Sequence, residues 1–187
     1  MTILDVLLII IGLSILILSA MQGLIRSLVM IFGFYMTTLA AGFLTLGTDI
    51  IQNLMRGITE ILEAPLPHLQ MSQTFVFLGV GVPMFIVLYF VSKMAFEDTM
   101  IKELGGFDNV FGLLAGGVLA ILVMAVLCNT WGVIVSRQWQ PTETWQSMRV
   151  AYQASQLKPF LHQILLIYDR LLFQFRFTGY PPFFIPQ

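Results

Sequence analysis

The sequence predicts an all-α polytopic membrane protein, with four transmembrane helices and two amphipathic helices lying in the membrane surface. Three observations carry this prediction. The chain is 58% hydrophobic and only 10% charged, whereas soluble domains carry roughly 25% charged residues. Four apolar stretches, near residues 3–22, 27–47, 73–94 and 109–136, are almost free of charge and reach the roughly 20 residues that a bilayer core requires. Two other stretches, near 48–63 and 160–176, gather their charge on one side of a helical projection, as interfacial helices do. Residues 1–136 thus form a transmembrane domain, and residues 137–187 an interfacial helical segment with a Pro/Phe-rich tail.

The first span opens with Thr2 and Asp5, the spacing of a capping box, which makes Asp5 a helix cap. An acid where a signal peptide would carry positive charge, followed by a long apolar run, reads as a retained anchor. The span ends at Gln22-Gly23-Leu24-Ile25-Arg26. Ser19, Gly23 and Ser27 fall four apart, so this corner can be approached closely by another helix. Arg26 is the only charge between Asp5 and Asp49, and a charge at depth is expensive, so it belongs near an interface. The second span carries its own small stripe, Gly33, Thr37 and Ala41.

From Thr48 to Glu63 the chain alternates between a charged arc and an apolar one, then stops at Pro65 and Pro67. The third span contains Gly79, Gly81 and Pro83, where a kink is expected. Gly105 and Gly106 read as the stop of one helix and a tight turn. Asp108 reads as the N-cap of the next helix, on which Gly112, Gly116 and Ala120 form a close-packing stripe. Trp131, Trp139 and Trp145 then cluster where aromatic residues meet the water interface. A helix restarts at Pro141, Pro159 interrupts it, and an amphipathic segment follows from Phe160.

Four spans place both ends on one side, which we read as the cytoplasmic side. Arg26 and Asp108 then share the opposite interface. Gly23 and Gly112 would let their backbones approach, so the two side chains are expected to form an interfacial ion pair.

Several function classes fall away. A net charge of −1 offers nothing to neutralise a phosphate track, which excludes a nucleic-acid partner. No nucleophile–base pair, carboxylate pair or metal-ligand spacing can be assembled within the spans, so neither enzyme chemistry nor a cofactor is expected. Coupled transport normally keeps ionisable groups at mid-membrane, and none lies there. A structural or accessory role remains, with lipid and either further copies or other membrane proteins as partners. An oligomeric channel or transporter component is the lesser alternative.

Two stretches resemble the colicin V production protein (CvpA) family of small bacterial inner-membrane proteins. One is the span that opens at Asp5 and ends in Gly23-Leu24-Ile25-Arg26. The other is Phe107-Asp108-Asn109-Val110-Phe111-Gly112-Leu113-Leu114-Ala115-Gly116. The resemblance covers roughly Ile3 to Ser136. Where the family often carries arginine after the Asp, and a further glycine and arginine in the last helix, this chain has Asn109, Val118 and Ala120. The resemblance implies a membrane protein linked to bacteriocin production and envelope physiology.

Overall fold

The computed structural model describes residues 1–45, 69–95, 106–139 and 141–172. These residues form five helices and, among themselves, no strand: α1 (Ile3–Thr45), α2 (Leu69–Ala95), α3 (Gly106–Val135), α4 (Thr142–Gln153) and α5 (Lys158–Leu172). Three stretches, Ile3–Leu44, Thr74–Ala95 and Phe107–Val135, are long and apolar enough to cross a membrane. The amphipathic helix expected near 48–63 and the tail after Leu172 lie outside the described residues. Outward-facing side chains include Ile10, Ile17, Phe32, Val87 and Leu114, each more than half exposed. Such a surface suits hydrocarbon, not water.

α1 is two arms joined at a break. Gly23 has φ 77° and ψ 177°, in the region that only glycine enters readily. Ser27 Oγ donates to Ser19 O at 3.4 Å across eight residues, a separation that a straight helix would stretch to about 12 Å along its axis. The same hydroxyl lies 2.8 Å from Gly23 O. The chain therefore folds back at Gly23.

Both arms lie along α3. On the first arm Gly12 faces Met124, and Gly23 and Ser19 face Gly112 and Gly116. On the second arm Thr37 and Thr38 wall the same cavity as Val126 and Leu127. The two arms thus run antiparallel to each other, and their joint seam with α3 is the most extensive contact of the fold. Glycines make this approach possible. A Cβ on Gly112 would stand 2.8 Å from the Gly23 carbonyl carbon and 2.9 Å from Ser19 O, closer than backbone atoms allow. A Cβ on Gly116 would overlap the Ser19 side chain, and Ala120, one turn on, is 1% exposed.

α2 packs on the second arm, with Gly33 against Leu88, Gly81 against Ala41, and Phe34 edge-on to Phe85 at 5.7 Å. Its helix continues from Leu69 to Ala95 through Pro83. Hydroxyls within the spans turn back on their own helices: Thr38 Oγ1 donates to Phe34 O at 2.7 Å and Thr130 Oγ1 to Val126 O at 2.7 Å. That local bond satisfies a polar group where water is absent.

The C-terminal helices differ from the sequence expectation in one respect. The break lies at residues 154–157, upstream of Pro159, and α5 begins at Lys158. Pro159 sits in the first turn of α5, where its missing N–H removes no helical bond. Leu161, Leu165, Tyr168 and Leu172 form one helical stripe, buried in the core with Leu4, Leu8 and Cys128. Part of the apolar face of α5 is therefore covered by protein, while Leu166, Ile167 and Leu171 stay outside. Three indoles fix the exit of α3: Trp131 Nε1 donates to Met148 O, Trp145 Nε1 to Val135 O, and Trp139 Nε1 to Ile134 O, at 3.1–3.2 Å.

The break and the glycine surfaces generate a paired prediction. Gly23→Ala places a side chain at positive φ and against the Asp108 carboxylate, and should lower stability by about 1–3 kcal/mol. Gly79 has nothing within 4 Å of its would-be Cβ, so Gly79→Ala should gain about 0.5–1 kcal/mol of helix stability. Thermal unfolding of both variants in one detergent checks the opposite signs.

Candidate functional site

Among the described residues, Asp5, Arg26 and Asp108 do not pair with one another. Each meets the backbone of a different segment. Helix starts leave N–H groups without intrahelical partners, and helix ends leave carbonyls likewise. In a membrane protein those groups have little water to turn to.

The Gly23 break exposes such donors at the start of the second arm. Asp108, in the first turn of α3 and 2% exposed, accepts the Leu24 N–H on Oδ1 at 3.1 Å. A side chain on residue 23 would occupy the place of that carboxylate. Glycine is therefore needed at position 23 twice, for its φ and for the space. Asp108 was expected to cap its own helix from Asn109. The helix starts earlier, at Gly106, so Asp108 lies inside its first turn and caps the second arm of α1 instead. Arg26 donates from Nη2 to Lys93 O at 3.0 Å, close to the end of α2. The expected Arg26–Asp108 ion pair is not among the contacts of the described residues, and Asp108 Oδ2 accepts no hydrogen bond. The anion supports the N-terminus of the second arm of α1, with the favourable sign for the helix dipole, and the cation holds a backbone carbonyl of α2.

Asp5 does the same at the other end of the bundle. Thr2 and Asp5 form a reciprocal box: Thr2 N–H donates to Oδ2 at 2.9 Å and Asp5 N–H to Thr2 Oγ1 at 3.3 Å. The carboxylate, fully buried, also receives the turn between α4 and α5. Ser155 Oγ donates to Oδ1 at 2.6 Å, while Gln156 N–H and Leu157 N–H approach Oδ2 and Oδ1 at 3.4 Å. Ser155 Oγ in turn accepts the Lys158 N–H at 3.3 Å, at the start of α5. The first turn of the chain thereby clasps a turn 150 residues away.

Two cavities flank this framework. One, of about 150 Å³, is almost wholly apolar and lies between the second arm of α1, α2 and α3, with Phe34, Thr37, Phe77 and Val126 among its walls. The other, of about 240 Å³, lies between the end of α3 and the α4–α5 pair, and Arg149 and Lys158 line it. Arg149 stacks on Trp145 with Cζ 4.9 Å from the ring centroid, and Lys158 Nζ stands 4.0 Å over the Tyr152 ring. Burial pushes the Tyr152 phenol up from its usual range, and the neighbouring Cys128 adds to the rise, so Tyr152 keeps its proton. Burial likewise pushes the Tyr168 phenol up. Among the described residues no group of three His, Cys, Asp or Glu side chains is placed to hold a metal ion.

The sequence singled out Asp5, Arg26, Asp108 and the glycines at 23, 33, 112 and 116. Gly23, Gly112 and Asp108 come together at one crossing, with Gly116 one turn away; Gly33 faces α2. Ser155, Arg149 and Lys158 were not singled out. Ser155 reads in sequence as an ordinary turn residue, and only the fold brings Asp5 to it. A signal for the two cations existed, since Trp145, Arg149 and Tyr152 recur at helical spacing next to Lys158.

A family model described as Colicin V production protein matches residues 4–164 of the chain. No curated protein and no solved structure matches it.

The clasp at Asp5 has a measurable consequence. Asp5→Asn keeps the shape but turns an acceptor oxygen into an N–H group facing other donors, and should cost about 2 kcal/mol. Ser155→Ala should cost about 1 kcal/mol. The two losses should be less than additive in the double variant, because both remove the same bond. Thermal or denaturant unfolding of the four proteins in one detergent measures this.

Proposed function

Because the chain belongs to the colicin V production protein family, we propose that it is a non-enzymatic inner-membrane protein with a structural or accessory role in the bacterial envelope, serving bacteriocin production or envelope homeostasis. The observation that carries this reading is the use of its charge: the buried Asp5 and Asp108 accept from backbone N–H groups and the partly exposed Arg26 donates to a backbone carbonyl. Groups engaged in holding helix ends are not poised to move a proton or attack a substrate.

The proposed topology has four crossings. The two arms of α1, then α2, then α3 each run the depth of the bilayer, and α4 and α5 lie at the surface where α3 emerges. α3, with 30 residues, is about 45 Å long, well beyond the roughly 30 Å hydrocarbon core. Its last turns therefore reach the interface, where the tryptophans gather. Both termini lie on that side, the cytoplasmic one. The close-packing residues Gly23, Gly112, Gly116 and Ala120 are buried against this same chain, which favours a self-contained bundle over a subunit that borrows its packing from a partner. Its apolar outer surface then meets lipid, or further copies and other membrane proteins in place of lipid.

Cysteine accessibility in sealed vesicles tests the topology, with Cys128 first replaced by serine. Ile3→Cys and Gln163→Cys should label from the cytoplasmic side, and Phe107→Cys from the opposite side. If Ile3→Cys and Phe107→Cys label from one side, α1 crosses only once and the four-crossing topology falls.

A further inference from the structure

We propose that the cavity between the end of α3 and the α4–α5 pair binds a phosphate-bearing group, in the membrane the headgroup of an anionic phospholipid. This rests on the reading that α4 and α5 lie at the cytoplasmic membrane surface. The cavity measures about 240 Å³ and is lined by two cations, Arg149 and Lys158, together with Asn129, Ser136, Tyr152 and Gln153, and among the described residues by no acidic side chain. Neither cation makes an ion pair among the described residues; each is instead laid against an aromatic ring, Arg149 on Trp145 and Lys158 on Tyr152. A ring holds a cation in place without neutralising it. Two unneutralised cations converging on one cavity form a site for an anion, and the protonated Tyr152 phenol adds a donor.

The depth of the site selects the kind of anion. Asp108 marks the far end of the membrane-crossing part of α3, and about 20 residues carry a helix across the core. Asn129 and Ser136 therefore stand at and just beyond the opposite boundary, the level of the phosphodiesters. Immediately inward, a recess of only about 10 Å³ is walled by Ala125, Cys128, Leu161 and Leu165 together with Asn129, Tyr152, Lys158 and His162, so the site takes the headgroup alone and the acyl chains stay in the bilayer. Basic pockets between helices on the cytoplasmic side are where anionic headgroups bind.

The test uses the full chain in neutral detergent, with tryptophan fluorescence as the readout of binding. Phosphatidylglycerol is the lipid probe, phosphatidylcholine the neutral-headgroup control and inorganic phosphate the soluble probe. Phosphatidylglycerol should saturate, and Lys158→Gln and Arg149→Gln should each weaken it about fivefold and together about thirtyfold. Lys158→Arg should retain binding, which keeps the test valid if a glutamine variant misfolds. Arg170→Gln, on α5 but outside the cavity, should change nothing. Saturation by inorganic phosphate alone, with the same ranking of variants, would support the site and assign it to a soluble phosphate. Equal losses in Lys158→Gln and Arg170→Gln, or no saturable binding by either probe, would overturn the proposal. The labelling of Gln163→Cys reads the membrane-surface placement independently, so loss of the site and loss of the topology remain distinguishable.

Discussion

The hydrogen bond from Leu24 N–H to Asp108 Oδ1, at 3.1 Å, is the interaction on which the rest of the bundle depends. A helix that folds back within an apolar chain must expose backbone donors at its restart, and each unsatisfied group in hydrocarbon costs several kcal/mol. Water could serve such donors at a loose corner. Here the corner is pressed against α3 so closely that Gly112 meets the backbone of Gly23 and Ser19, which leaves the acceptor to be supplied by α3 itself. One carboxylate thus permits the break, and one glycine admits the carboxylate. The arms of α1, once folded, form the groove in which α3 lies.

The same physics recurs at Asp5 and Arg26. Asp5 caps its own helix through Thr2, then serves the 154–157 turn. Arg26 reaches the carbonyl of Lys93. Charge is scarce in this chain, and at these ends it serves the backbone of a sequence-distant segment. This arrangement makes three links between distant segments without any buried ion pair among the described residues. It also avoids the desolvation penalty of bringing two charges together, because a carboxylate that accepts backbone N–H groups needs no counter-cation to be held.

Much of the fold was legible in the sequence because its determinants are local. Small residues four apart mark a close approach whatever the partner, so Gly112 and Gly116 could be identified before the groove was known. The lack of charge over Asn109–Ser136 made α3 a membrane helix without reference to its neighbours. The partners of the charges were not legible. Thr2 and Asp5 are three apart and form their box within one turn, but the approach of Ser155 from 150 residues away leaves no local pattern. Asp108 misled for a physical reason: an acid near a helix start has the right chemistry for an N-cap, and the helix it caps is a different one. The ion pair with Arg26 was inferred from a shared interface, whereas the stronger demand at that interface came from uncapped backbone. Pro159 was read as a helix breaker, yet in a first turn proline breaks nothing.

The most direct test of this account is the hydrogen-exchange rate of the Leu24 amide in the full chain in detergent micelles, measured by nuclear magnetic resonance in the native protein and in Asp108→Ala. A dependence of the break on Asp108 predicts a slowly exchanging Leu24 amide that loses protection in the variant, while amides in the middle of α2 exchange as before. An unchanged Leu24 exchange rate in Asp108→Ala would contradict it.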